Sequence, residues 1–192
     1  MSARSFLYRV YLCFCALLCL YSMLPGASAL SELVLPESLQ ILEREAFAGN
    51  TAVTQVVLPE GLREIGASAF AGCTGLTEMV IPDSVEIIGE NAFEGCAALC
   101  RVALPQGLKT LGDRAFLDCT MLEELVIPDG VETIGENFSE GTELRAVTPY
   151  DTAGYRALIG THADLRIVCE DLVLSVRDGA LYAWEGAGET LQ

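Results

Sequence analysis

Pro36, Pro59, Pro82, Pro105 and Pro128 stand 23 residues apart, and Phe47, Phe70, Phe93 and Phe116 keep the same spacing. A unit of that length cannot bury its own apolar face, so successive units must stack into one continuous core. The third residue after each proline is Leu39, Leu62, Val85, Leu108 or Val131, and the sixth is Leu42, Ile65, Ile88, Leu111 or Ile134. These slots predict the inner lining of a coil. A stack of coils has no obvious crevice for chemistry, so function is sought on its outer walls.

The segment before each proline reads Leu76-Thr77-Glu78-Met79-Val80-Ile81 in the clearest unit, with equivalents at 53–58, 99–104 and 122–127. Leu76, Met79 and Ile81 are expected to point inward and Thr77, Glu78 and Val80 outward, as a short strand pairing in parallel with the next rung. Proline ends the strand, because it offers no ladder donor and its fixed φ starts a turn. Ser38, Gly61, Ser84, Gly107 and Gly130 suit that turn. A second extended piece, such as 85–88, follows and closes at Gly66, Gly89, Gly112 or Gly135, where a positive φ is expected. Ala69-Phe70, Ala92-Phe93 and Ala115-Phe116 would then form a short helical or 3₁₀ turn whose phenylalanine plugs the core.

The composite unit, with Leu at its head, Pro after the strand, Gly after the second extended piece and Ala-Phe-x-Gly-Cys at its end, resembles the BspA-type leucine-rich repeat of bacterial and protist surface proteins. The resemblance covers about residues 30–149. It implies a leucine-rich repeat solenoid, mainly short parallel β-strands with short helical turns, and a role in extracellular binding or adhesion. The last unit departs from the pattern: counted from its phenylalanine, it loses one residue between Gly135 and Phe138, and Gly141 replaces the cysteine. Residues 150–170 resemble the closing cap of such arrays, with a helix at 150–158 and a sealing strand at 165–168. Two alternating apolar runs around Asp178-Gly179 then predict a β-hairpin in 171–192. In this family such a hairpin opens a further array, so the chain is expected to be a piece of a longer protein.

Residues 1–29 are read as a secretory signal peptide. Arg4 and Arg9 precede an apolar run from Val10 to Leu24, and Ala27-Ser28-Ala29 is a small-residue cleavage signal. The run is shorter than the roughly 20 residues of a spanning helix. Removing it takes two arginines and no acid, moving the formal charge from −16 to −18, which argues against nucleic acid as a partner. Three cysteines leave with the leader, and the odd number that remains means at least one free thiol. Cys73, Cys96 and Cys119 share the repeat period and should stack about 4.8 Å apart with parallel side chains. A disulfide needs Cβ atoms turned toward each other, so they are read as buried small hydrophobes without disulfides. Cys100 and Cys169 fall off the period. Asn137-Phe138-Ser139 is a glycosylation sequon, relevant only in a eukaryotic source.

Nothing in the chain carries catalytic or metal chemistry. The single histidine, His162, lies in the expected cap with no partner motif, and a nucleophile needs its base within hydrogen-bond reach. Cys96-x-x-x-Cys100 has neither redox nor zinc spacing, and no phosphate loop or EF-hand loop is present, so no cofactor is expected. The candidate site is the outward strand face. Gln55, Glu78, Arg101 and Glu124 form one column, and Val57, Val80, Ala103 and Val126 another. An aligned apolar stripe on an exposed sheet is a candidate contact surface for a protein or glycan, although valine also favours strands for its own sake. Two other roles fit the same residues: a structural spacer, or a non-catalytic segment of a larger exported enzyme. Cleavage after Ala29 would leave the strand of Leu33 and Leu35 as an uncovered edge, which invites edge-to-edge self-association.

Overall fold

The computed structural model describes residues 32–142, 145–147, 165–169, 172–177 and 180–186. The segment read as a leader and the expected closing helix lie outside the described residues. Within them the chain winds as a coil of three walls per rung. The first wall holds the three-residue strands β1 (Glu32–Val34), β3 (Gln55–Val57), β5 (Glu78–Val80), β7 (Arg101–Ala103), β9 (Glu124–Val126) and β11 (Arg145–Val147). Between them run the two-residue strands β2 (Ile41–Leu42), β4 (Glu64–Ile65), β6 (Ile87–Ile88), β8 (Thr110–Leu111) and β10 (Thr133–Ile134), which form the second wall. The second wall is one uninterrupted parallel sheet in the order β10-β8-β6-β4-β2. In the first wall β1 pairs with β3, β5 with β7 and β9 with β11, always in parallel and residue for residue.

The alternation expected of the strands holds. Leu76, Met79 and Ile81 are buried while Thr77, Glu78 and Val80 are exposed. Each proline opens a turn closed by a bond from the third residue onward, Leu62 N to Pro59 O at 3.0 Å and Val85 N to Pro82 O at 3.0 Å. The phenylalanines stand in single file: Phe47, Phe70, Phe93 and Phe116 have ring centroids 5.5, 5.5 and 5.2 Å apart and nearly parallel planes.

The Ala-Phe segment is not helical, and no helix occurs among the described residues. Its donors alternate between two uses. Ala69, Ala71 and Cys73 donate three residues back, to Gly66, Ser68 and Phe70, whereas Ser68, Phe70 and Gly72 donate to Glu90, Ala92 and Glu94 of the next rung. A 3₁₀ helix needs consecutive local bonds; here every second donor is spent on the neighbouring rung, leaving overlapping turns that form a third, inter-rung-bonded wall. Two positions per rung take positive φ in this wall. One column is Glu45, Ser68, Asn91, Arg114 and Asn137, and the other is Gly49, Gly72, Gly95, Asp118 and Gly141.

Gly66, Gly89, Gly112 and Gly135 are absent from both columns, which corrects the positive φ expected of them. They are glycine because no side chain fits. A Cβ on Gly66 would sit 2.6 Å from the Leu42 carbonyl oxygen, and one on Gly112 would sit 2.5 Å from the Glu90 nitrogen. At this corner the backbone of one rung lies directly on that of the rung before. Glu43 holds the slot in the first described rung, with its side chain exposed.

The positive-φ columns also correct the register of the last unit. Asn137 lies 23 residues after Arg114 and Gly141 lies 23 after Asp118, so no residue is lost before Phe138. Phe138 instead occupies the alanine slot, receiving at its carbonyl the bond from Phe116 N. Ser139 takes the phenylalanine slot and Thr142, not Gly141, the cysteine slot. The file of rings ends there, with Ser139 buried beneath Phe116's rung. The unit is short further on: Arg145 is the register partner of Glu124, only 21 residues back, so two residues are missing between Thr142 and Arg145.

Strand β12 (Leu165–Cys169) pairs in parallel with β11, and β13 (Leu172–Arg177) and β14 (Ala180–Gly186) follow in antiparallel, continuing the sheet beyond β12.

Cys73, Cys96 and Cys119 are buried, each Sγ 3.1 Å from the carbonyl oxygen of Phe47, Phe70 or Phe93 in the preceding rung. Burial pushes the Cys119 thiol from 9.0 up to about 12 and raises Cys96 as well, with the neighbouring cysteines adding to the effect. The unfolded chain would ionise these thiols first. Their contribution to stability is thus complete below pH 9 and is lost as pH rises from 9 toward 12, by about 1.4 kcal/mol per unit for each thiol. Iodoacetamide at pH 8 should alkylate exposed Cys100 in the native protein and reach the three buried thiols only after denaturation. Peptide mass spectrometry reads this directly; native alkylation of Cys96 would refute the packing role.

Candidate functional site

All eight residues of the candidate face are exposed and hold two repeated slots of successive rungs. The register pairs are Glu78 with Arg101 and Val80 with Ala103 across β5 and β7, and Val34 with Val57 across β1 and β3. The parallel, unshifted ladder is what turns a 23-residue period into columns: equal slots of successive rungs lie side by side.

The polar column holds Gln55, Glu78, Arg101 and Glu124. Arg101 Nη1 lies 3.3 Å from Glu78 Oε1, with both side chains largely in solvent. Such a pair contributes about 0–1 kcal/mol and is screened by salt, so it orders the column more than it stabilises the rod. Beyond Glu124 the register continues with Arg145 and then Arg166.

The apolar column is longer than the sequence reading made it. Val34, exposed by 62%, stands ahead of Val57 and Val80, of which Val80 is 71% exposed; Ala103 and Val126 follow. Val34 was readable from its place two residues before Pro36. A β-branched side chain with most of its area in water gains little from where it stands, because apolar surface contributes about 25 cal/mol per Å² only when removed from water. Five rungs repeating that arrangement make a stripe about 19 Å long at the usual strand spacing.

A further set of residues, not singled out from the sequence, rims the stripe. Glu37, Glu60, Asp83, Gln106 and Asp129 occupy the position after each proline, in the turn that ends the wall, and all are exposed. Asp83 Oδ1 accepts a bond from Gln106 N of the next rung at 3.0 Å. The second wall is decorated differently. Arg63, Glu86, Lys109 and Glu132 alternate in sign along one column, with Arg63 Nη1 3.2 Å from Glu86 Oε1.

Among the described residues no three histidine, cysteine or acidic side chains converge as a metal site would require, and no helix is long and apolar enough to cross a membrane. His162 lies outside the described residues. The edge expected to self-associate is the far side of β1, and whether it is uncovered depends on residues 1–31, which lie outside the described residues.

Comparison with known proteins agrees with this architecture. Among solved structures the chain is similar to the leucine-rich repeat protein TpLRR of T. pallidum, at 31% identity and a TM-score of 0.59. That match covers 61% of this chain and 58% of that one. It is also similar in fold to the pneumococcal vaccine antigen PcpA, at 23% identity and a TM-score of 0.60, over 76% of this chain and 34% of that one. The chain therefore spans less than two thirds of either relative. A search of curated proteins finds no match. The model of the BspA type leucine-rich repeat region matches residues 25–148 with six copies of the repeat. The chain belongs to the BspA-type leucine-rich repeat family.

Proposed function

We propose that this chain is an extracellular binding module that recognises a protein or glycan through its strand wall. The observation that carries the reading is the stripe Val34, Val57, Val80, Ala103 and Val126, apolar, aligned by register and exposed. Contiguous apolar surface rimmed by polar residues marks contact sites. Leucine-rich repeat domains commonly serve in protein interaction, and the rod supplies a rigid extended platform of the kind repeat proteins use. The leader-like segment 1–29 and the description of PcpA as a vaccine antigen agree with an extracellular location.

The test is a panel of purified extracellular-matrix proteins and glycans probed with the wild-type chain and with a Val80→Asn, Val126→Asn double variant. Both side chains are exposed, so the variant should fold as before. A partner found by the wild type should be lost at least tenfold, since truncating central anchors of an interface costs 1 kcal/mol or more each. Undiminished binding by the variant would remove the strand wall from consideration.

A further inference from the structure

We infer that the partner taken by the strand wall is a cationic polypeptide, one that sets apolar side chains on the valine stripe and lysines or arginines on its rim. The inference rests on the proposed reading of this wall and adds the chemistry of what occupies it.

The charge bordering the stripe is of one sign on its proline side. On the proline side stand Glu37, Glu60, Asp83 and Asp129, with Gln106 the only neutral member. On the other side the charges offset one another: Glu78 faces Arg101 at 3.3 Å, Glu124 has Arg145 as its register partner, and Glu123 stands exposed beside them. The proline-side carboxylates flank side chains that cannot hydrogen-bond, so a ligand centred on the stripe meets apolar surface in its middle and negative charge along that border. A rim of one sign steers a partner of the opposite sign and rejects like-charged ones, through encounter rate and specificity more than through raw affinity.

Three occupants fit poorly. A second copy of this chain brings a formal charge of −16 against the same acidic wall. A nucleic acid or a sulfated glycan is repelled for the same reason. A neutral glycan leaves the acidic proline-side border without counter-charges. The alternating column Arg63, Glu86, Lys109 and Glu132 on the second wall balances itself, and the turn wall, acidic through Glu90, Asp113, Glu136 and Glu140, has no exposed large apolar side chain, so excess acid beside an apolar stripe belongs to the strand wall.

The test uses three synthetic 12-residue peptides: alternating lysine and valine, alternating glutamate and valine, and alternating lysine and serine. Binding to the full chain is followed by fluorescence anisotropy at 50 and 500 mM NaCl. The lysine–valine peptide should bind at low salt and weaken at least tenfold at high salt. The glutamate–valine peptide should not bind, and the lysine–serine peptide should bind at least tenfold more weakly, having charge without the apolar face. In the protein, Glu60→Gln with Asp83→Asn and Asp129→Asn should weaken the lysine–valine peptide at least fivefold, while circular dichroism stays unchanged. The Asp83→Asn change keeps the acceptor for Gln106 N.

Tighter binding of the glutamate–valine peptide or of heparin would overturn the inference, as would salt-independent binding. If Val80→Asn with Val126→Asn abolishes capture of a matrix partner while the charge variants leave it untouched, the wall is a binding face but its partner is not cationic. If the charge variants weaken the peptide while the valine variant does not, binding lies off the stripe and the strand-wall reading itself fails.

Discussion

Phe93→Ala is expected to destabilise the protein by about 4 kcal/mol, the range for emptying a fully buried phenylalanine site. Phe93 is fully buried, its ring stacked on Phe70 at 5.5 Å and on Phe116 at 5.2 Å. Removing it deletes both ring contacts and opens a cavity that the flanking rings, each held in its own rung, cannot move to fill. In a linear stack each rung is held by its two neighbours, so a central defect weakens two interfaces at once. Phe47→Ala, by contrast, removes one ring contact, from a rung with one described phenylalanine neighbour, and should cost about half as much. Urea unfolding followed by circular dichroism separates the cases. The central variant should lower the midpoint roughly twice as far; equal losses at both positions would mean the rings are not a coupled column.

How much of this was legible in the residues follows from what repeats and what does not. The period placed Leu62, Ile65, Phe70, Cys73, Leu76, Met79 and Ile81 inside and Glu78 and Val80 outside, because burial in a stack is set by slot and each slot is sampled several times. The same logic exposed the valine column. Three features were misread, each for a physical reason. Glycine has two uses, a positive φ or a close approach of backbones, and its identity does not say which. The left-handed φ falls instead on Glu45, Ser68, Asn91, Arg114 and Asn137, residues with no common chemistry, held there by inter-rung hydrogen bonds that no local pattern announces. The helical turn failed because helix needs its donors locally and the next rung takes half of them. The last unit was misaligned because Phe138 was taken as the ladder ring. Glu136-Asn137 and Glu140-Gly141 match Glu90-Asn91 and Glu94-Gly95 without a gap, and polar residues on the turn wall carried the true register.

The two glycine columns should respond to substitution in opposite ways. Gly112→Ala is expected to cost about 3 kcal/mol or more. Its Cβ would lie 2.5 Å from the Glu90 nitrogen and from the Gly89 carbonyl carbon, both backbone atoms of the preceding rung, and overpacking against groups that cannot rotate away is at the upper end of such costs. Relief requires the rungs to separate, which strains the bond from Gly112 N to Ile88 O, now 2.8 Å. Gly95 has φ +67 and open space, a new Cβ meeting nothing nearer than Gly72 Cα at 3.9 Å. Alanine there costs only the left-handed penalty, roughly 1–2 kcal/mol, and asparagine, which tolerates that region, should restore part of it, as Asp118 already does in the same column with φ 55. At Gly112 asparagine offers no such rescue, because the obstacle is space and not dihedral angle, and it should be at least as damaging as alanine. Thermal melts of the four variants decide the matter: a Gly112→Ala protein melting no lower than Gly95→Asn would mean the rungs are not in backbone contact at this corner.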